Sequence, residues 1–177
     1  IAEVLGPGVA DQPPLPLWVT EYNLFETGED GLGGTWAQAL ALAAMTLDLA
    51  CEPRVELAMV HNLVGNPGFA LCEPADDGRL RLSQMGQVIA HLTPLLNRGG
   101  SVRRLAGDLP GVEVRQEGKR IVVLINPHEQ PHALPAALTA PATATVLSAA
   151  ALAATVEIQE GTPITALPPL SLVTVTF

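Results

Sequence analysis

Aromatic side chains are scarce: they make up 3% of the 177 residues, so each of the two Trp and the single Tyr is conspicuous. Cations are scarce too. Nine Lys and Arg stand against eighteen Asp and Glu, a formal net charge of -9. A phosphate backbone is held by clustered Lys and Arg, and here they are scattered along the sequence, which argues against a nucleic-acid partner. A neutral ligand is compatible with this charge but not implied by it. The two cysteines, Cys51 and Cys72, lie far apart and outside any C-x-x-C spacing. Two buried free thiols are the simplest reading, and a disulfide stays open, so the redox compartment is undetermined.

Long apolar runs are also missing. None reaches the roughly 18 residues that a membrane span needs, and the Ala-rich region 133–156 is broken by Pro135 and Pro141. No basic n-region precedes an apolar h-region, so no secretory signal is visible and the cytoplasm is the default expectation. The chain opens "IAEVLGPG" without Met. That implies processing or a longer polypeptide. No phosphate-binding loop is present either, because "GEDGLGG" lacks a following Lys-Ser/Thr and a G-x-G-x-x-G context.

What is present is ample apolar material: 48% hydrophobic residues, chiefly Ala, Leu and Val, enough for one domain or two small ones. The first half alternates strand and helix. "LPLWVTEY" is a near-continuous apolar run, the pattern of a strand buried on both faces. After the Gly- and acid-rich loop "NLFETGEDGLGGT" comes a helix, "TWAQALALAAMTLDLAC". Thr35 and Gln38 have capping-box spacing, and Trp36, Leu40, Ala43, Ala44 and Leu47 share a face. Its only charge, Asp48, predicts packing on more than one side.

"RVELAMVHN" is the next strand, followed by a long loop, "LVGNPGFALCEPADDGRL". Ser83 caps a second helix, "QMGQVIAHLTPLLN", with Val88, Ile89, Leu92, Leu95 and Leu96 inward and Pro94 expected to kink it or end it early. Strand, helix, strand, helix argues for parallel strands with right-handed crossovers.

"NRGGS" marks a boundary, placing an α/β unit at 1–99 and an all-β unit at 100–177. "VEVRQEGKRIVVLINP" reads as a hairpin turning at Glu117 and Gly118. "TATVLS", "TVEIQEGTPITAL" and "LSLVTVTF" are short β-branched runs divided by Gly and Pro, and "VRRLAG" is a candidate further strand. Together they predict an antiparallel sandwich.

Glu21 ends the first predicted strand. Ligands of parallel α/β folds bind at the carboxyl ends of strands, so position alone makes Glu21 a candidate, beside the alternative of a solvated Glu opening an acidic loop. Tyr22 and Asn23 follow it and either orient it and touch ligand or pack and cap the loop. His61 and Asn62 end the second strand on the same rim. Trp36 is a stacking platform or, better suited to an apolar helix face, a core residue. His128 and His132 form no metal set with a carboxylate at ligand spacing, and neither metal nor cofactor is expected.

The succession "LWVTEYNL", "TWAQALALAAMTLDLA", "VELAMVHNLVG", "GQVIAHLTPLLN" resembles the last two strand–helix units of a retaining glycoside hydrolase (β/α)8 (TIM) barrel. The following "RIVVLINPHEQ" and the closing "LPPLSLVTVTF" resemble the C-terminal β-domain of the α-L-arabinofuranosidase type, whose sandwiches commonly close with an "LPPxS" turn and a hydrophobic strand. The resemblance covers nearly the whole chain. It implies a carbohydrate substrate, and it makes Glu21, at the end of barrel strand 7, the catalytic nucleophile of a double-displacement mechanism. Tyr22, Asn23, His61 and Asn62 become substrate-binding candidates.

That mechanism needs a second carboxyl about 5–5.5 Å away as acid/base. In the family it belongs to an Asn-Glu pair at the end of strand 4, and no Asn-Glu pair occurs here. Glu26, Glu29, Asp30, Glu73, Asp76 and Asp77 lie on predicted loops that do not suit them to the role. The resemblance therefore implies a C-terminal portion, inactive alone, whose partner is the missing barrel segment or a second copy covering its bare strand edges. The alternative is a non-catalytic β-module for interaction or carbohydrate binding, weakened by the scarcity of aromatics.

Overall fold

A computed structural model of the chain describes residues 15–24, 33–66, 68–97, 99–135, 138, 143–151 and 154–177. Strand β1 (Leu17–Tyr22), helix α1 (Trp36–Ala50) and strand β2 (Val55–Val60) come first, with β1 and β2 paired parallel. Parallel neighbours need a crossover, and α1 supplies it. Thr35 caps α1, its side chain accepting from the Gln38 amide, and α1 is buried on more than one side, with Trp36, Ala39, Leu42 and Ala43 all at 0% exposure.

The segment after β2, expected to be a plain loop, contains a hairpin: β3 (Cys72–Pro74) and β4 (Leu80–Leu82) pair antiparallel. Its turn is made by Asp77, which accepts from the Arg79 amide at 3.0 Å, and by Gly78 at φ 76°. Three-residue strands carry too little periodicity to announce themselves. Helix α2 (Gln84–Leu96) starts from the Ser83 cap. It keeps Pro94 inside and runs two residues past it to Leu96: Pro94 has no N–H for the Ala90 carbonyl, and the loss of that one bond does not end the helix at once. Gly86 is required where α2 meets the hairpin. A Cβ there would sit 2.0 Å from the Leu71 carbonyl oxygen.

The second half is one six-stranded antiparallel sheet rather than two matched sheets. Its order is β10 (Glu157–Pro163), β9 (Thr143–Ser148), β12 (Ser171–Thr176), β7 (Lys119–Asn126), β6 (Gly111–Gln116), β5 (Ser101–Arg104). The opposing layer of the expected sandwich is reduced to a ribbon of β8 (His132–Ala133) and β11 (Ala166–Leu167) with adjoining segments. The β6–β7 hairpin turns at Glu117 (φ 50°) and Gly118 (φ 76°), as the sequence predicts. Two positive φ values make the turn whose twist matches paired strands.

Alternation along β7 and β12 sorts their side chains to two faces. Ile121, Val123, Ile125 and Leu172 pack with Trp36, Leu40, Leu47, Val88 and Leu92 of the helices. Val122, Leu124, Val173 and Val175 pack under Leu167, Leu138 and Leu109. The helix-side cluster runs across residue 99, so the helices and the sheet share one core. Trp36 fastens it, donating from Nε1 to the Leu170 carbonyl at 2.5 Å in the "LPPLS" turn. His91 of α2 is bonded to Thr174 of β12 at 2.8 Å, and Arg104 of β5 pairs with Asp48 of α1 at 2.6 Å.

Candidate functional site

Glu21 owes its direction to a bulge. Pairing runs Val19↔Ala58 and then Tyr22↔Val60, so Thr20 and Glu21 oppose a single residue of β2. Strict alternation would send Glu21 to the helix side with Leu17 and Val19. The extra residue instead exposes Thr20 and Glu21 in succession and turns Tyr22 inward. Glu21 stands open, its side chain 72% exposed, with His61 Nδ1 3.9 Å from Oε2. Among the described residues, His61 is its one ion-pair contact.

Tyr22 faces α1. The Thr46 hydroxyl already donates to the Leu42 carbonyl, so the Tyr22 hydroxyl donates to Thr46 Oγ1, at 3.1 Å. Burial raises the phenol above its ordinary pKa and keeps it protonated. Tyr22 thus positions β1 on the helix and does not look onto the open face. Asn23 is a staple. Its Nδ2 donates to the His61 carbonyl and, at 3.0 Å, to the Phe69 carbonyl, while its Oδ1 accepts from the Leu24 amide. The ends of β1 and β2 are further joined by the His61 amide donating to the Tyr22 carbonyl at 3.0 Å. The His61 ring lies against Phe69, centroids 5.8 Å apart, and the His61–Asn62 peptide is cis. Asn62 accepts from the Leu71 amide, and its side-chain Oδ1 is buried with no hydrogen-bond partner among the described residues.

Gln38 has a larger part than its capping-box spacing suggests. Its side chain accepts from the Gly34 amide at 2.7 Å and donates to the Leu24 carbonyl at 3.0 Å. One buried side chain thus joins the end of the Glu21 strand to the residues just before α1. A polar residue on an otherwise apolar helix face was the available signal. Trp36 is fully buried and offers no stacking platform. Trp18 does face the open side, 68% exposed, with Nε1 donating to Glu56 at 3.3 Å; sequence reasoning did not single it out.

Two of the other candidate carboxylates are partnered elsewhere. Glu73 lies on β3, not in a loop, and pairs with Arg81 at 3.1 Å; Asp77 pairs with Arg79. Glu26, Glu29 and Asp30 lie outside the described residues. Cys51 and Cys72 are free and half-buried, and burial pushes the Cys51 thiol up. Among the described residues no group of three His, Cys, Asp or Glu could hold a metal, and no helix is long and apolar enough to cross a membrane.

An open carboxylate thus stands at the end of a parallel strand, with an imidazole beside it and a backbone staple beneath. Beside it, a groove of about 650 Å³ runs along β2 between the helices and β5, lined by Leu49, Cys51, Leu57, Met59, Leu96 and Val102 among others. Among the described residues, β1 and β2 form a two-stranded sheet in which each keeps one unpaired edge.

The sequence matches no protein-family model and no curated protein. Solved structures do match. The fold is that of the C-terminal part of glycoside hydrolase family 30 domains. The catalytic domain of family 30 xylanase C from Talaromyces cellulolyticus superposes with a TM-score of 0.62 at 16% identity, over 93% of this chain and 41% of that one. The subfamily 8 xylanase Xyn30A from Clostridium acetobutylicum gives 0.61 at 14% identity, over 95% and 46%. A conserved exported protein from Bacteroides fragilis gives 0.62 at 13% identity, over 92% and 39%. The chain therefore spans less than half the length of these structures. Two of them are named xylanases; the arabinofuranosidase type rests on sequence resemblance alone.

Proposed function

We propose that this chain is the C-terminal portion of a retaining glycoside hydrolase, with residues 1–99 forming the last quarter of a (β/α)8 barrel and residues 100–177 the β-domain. Glu21 is the nucleophile: its carboxylate attacks the anomeric carbon, forms a glycosyl-enzyme ester and is displaced by water. The bulge that turns Glu21 to the open face beside His61, at the carboxyl end of a parallel strand, carries this reading. The family 30 likeness of the fold supports it. His61 orients the Glu21 carboxylate and contacts sugar. Asn23 holds the His61 carbonyl in place, and Tyr22 anchors the strand from behind. Asn62, with an unspent buried oxygen, is a further polar contact of the rim.

The acid/base carboxyl comes from the segment that completes the barrel. That segment pairs with the free strand edges and fills the groove along β2, and the 177 residues alone hydrolyse little or nothing. The substrate is a xylan-type polysaccharide, in keeping with the named neighbours, or an α-L-arabinofuranoside, in keeping with the sequence resemblance. A non-catalytic carbohydrate-binding role is disfavoured, because both Trp and the Tyr lie outside the six-stranded sheet.

The test uses the polypeptide that carries the remaining barrel strands. Glu21→Ala should lower turnover of xylan and of aryl xyloside and arabinofuranoside substrates by roughly 10³-fold or more, the scale of losing a nucleophile. Azide should restore part of the aryl-glycoside activity. Unchanged turnover in the variant overturns the assignment, and the relative rates on the two sugars decide the substrate.

A further inference from the structure

Far from Glu21, the β5–β6–β7 edge breaks a rule that the rest of the chain obeys. Arg54, Arg79, Arg81 and Arg104 each pair with one carboxylate: Glu52, Asp77, Glu73 and Asp48. Arg103, Arg115 and Arg120 share a single one. All three donate from Nε to Glu113, Arg103 and Arg115 to Oε1 at 3.1 and 2.8 Å and Arg120 to Oε2 at 2.6 Å. Three positive charges against one negative leave +2 in a chain whose net charge is -9.

Sheet register produces the convergence. Glu113 is opposite Arg103, and Arg115 is opposite Arg120, on the ribbon-side face of the sheet. Like charges directly opposite each other destabilise a sheet, so this arrangement stands only because the carboxylate lies between them. Glu113 is 1% exposed, covered by the arginine chains themselves. Because each arginine spends its Nε on Glu113, the Nη groups of Arg103 and Arg115, on side chains 68% and 63% exposed, face water with no ion pair among the described residues. Arg120 is pinned over the Phe177 ring, 4.8 Å from its centroid. At the hairpin end of these strands a cleft of about 250 Å³ adjoins Arg115 and Arg120, and Glu117 and Lys119 line it as well.

We infer that this edge is an oxyanion-binding site: the Nη groups of Arg103 and Arg115, with Arg120 beside them, take a carboxylate, sulfate or phosphate group in competition with Glu113. A planar guanidinium presents paired donors that fit such groups bidentately. The site is independent of the glycosidase reading.

The test titrates the full chain with sodium sulfate and, separately, sodium acetate, at constant ionic strength set by chloride, followed by NMR or calorimetry. Saturable binding is expected with a dissociation constant of about 1–10 mM. Preference for sulfate marks a tetrahedral ligand, and preference for acetate a carboxylate. Arg103→Gln with Arg115→Gln should weaken binding about tenfold or more, whereas Glu113→Gln should tighten it by removing the competing charge. A Glu113→Gln chain too unstable alone should recover its melting temperature with sulfate and not with chloride. Response to sulfate and acetate no different from chloride, or binding unchanged in the arginine variant, overturns the site and leaves the cluster purely structural.

Discussion

The β1–β2 pair and the β7–β12 pair are written in similar residues and meet opposite fates. "LWVTEY" and "VELAMV" are apolar runs like "IVVLI" and "SLVTV". Yet β12 is buried at five consecutive positions while β1 alternates between half-buried and exposed, with Trp18, Leu57 and Met59 facing out. The central strands of the six-stranded sheet have helices on one face and the β8–β11 ribbon on the other. The parallel pair has helices on one face only. Apolar content on both faces of a strand is thus a statement about two neighbours, and among the described residues the parallel pair has only one. The more exposed region is also the one that carries Glu21.

The largest expected effect tests this contrast directly. Leu172→Ala, at the junction of helices and sheet, should cost about 2–5 kcal/mol of unfolding free energy by chemical denaturation. Leu57→Ala should cost under about 1 kcal/mol in the isolated chain. If a barrel-completing segment covers β2, as proposed, that small cost should rise severalfold in a polypeptide that carries it; an equal cost in both contexts would break the comparison.

A middle-sized effect comes from Glu113. Arg120 first, then Arg115 and Arg103, hold its carboxyl down to about 2 from an ordinary 4.5. A depressed pKa adds stability above the unfolded value and loses it as pH falls through the folded one. Stability of the sheet should therefore decline between about pH 4.5 and pH 2, and Arg120→Gln should flatten that decline in pH-dependent denaturation. Acid sensitivity confined to the helical half would contradict it. The smallest effect is at the hairpin. Glu117 sits at φ 50°, and Glu117→Asn should stabilise by up to about 1 kcal/mol, read as a small rise in melting temperature.

Much of the architecture was legible because it depends on short-range rules. The caps at Thr35 and Ser83, the turn at Glu117–Gly118, and the helix faces follow from local chemistry and spacing. The β3–β4 hairpin was not, since three-residue strands have no readable period. Nor was the reduced second layer of the sandwich: the short, β-branched runs are the same whether they form one sheet or two. At the candidate site, strand-end position singles out Glu21 and His61, and the structure brings them within 3.9 Å of each other. Position singles out Tyr22 and Asn23 as well, and the structure gives them scaffold contacts. Gln38 as a clamp was missed, because its partners, Leu24 and Gly34, are joined only by folding.

Composition, spacing and turn chemistry by themselves determined the elements, their order and a carboxylate at the end of a parallel strand. Only the tertiary structure decided which way that carboxylate points. A one-residue bulge in β1 reverses the face of everything after it, and a bulge is a property of pairing between two strands, which neither strand's sequence contains alone.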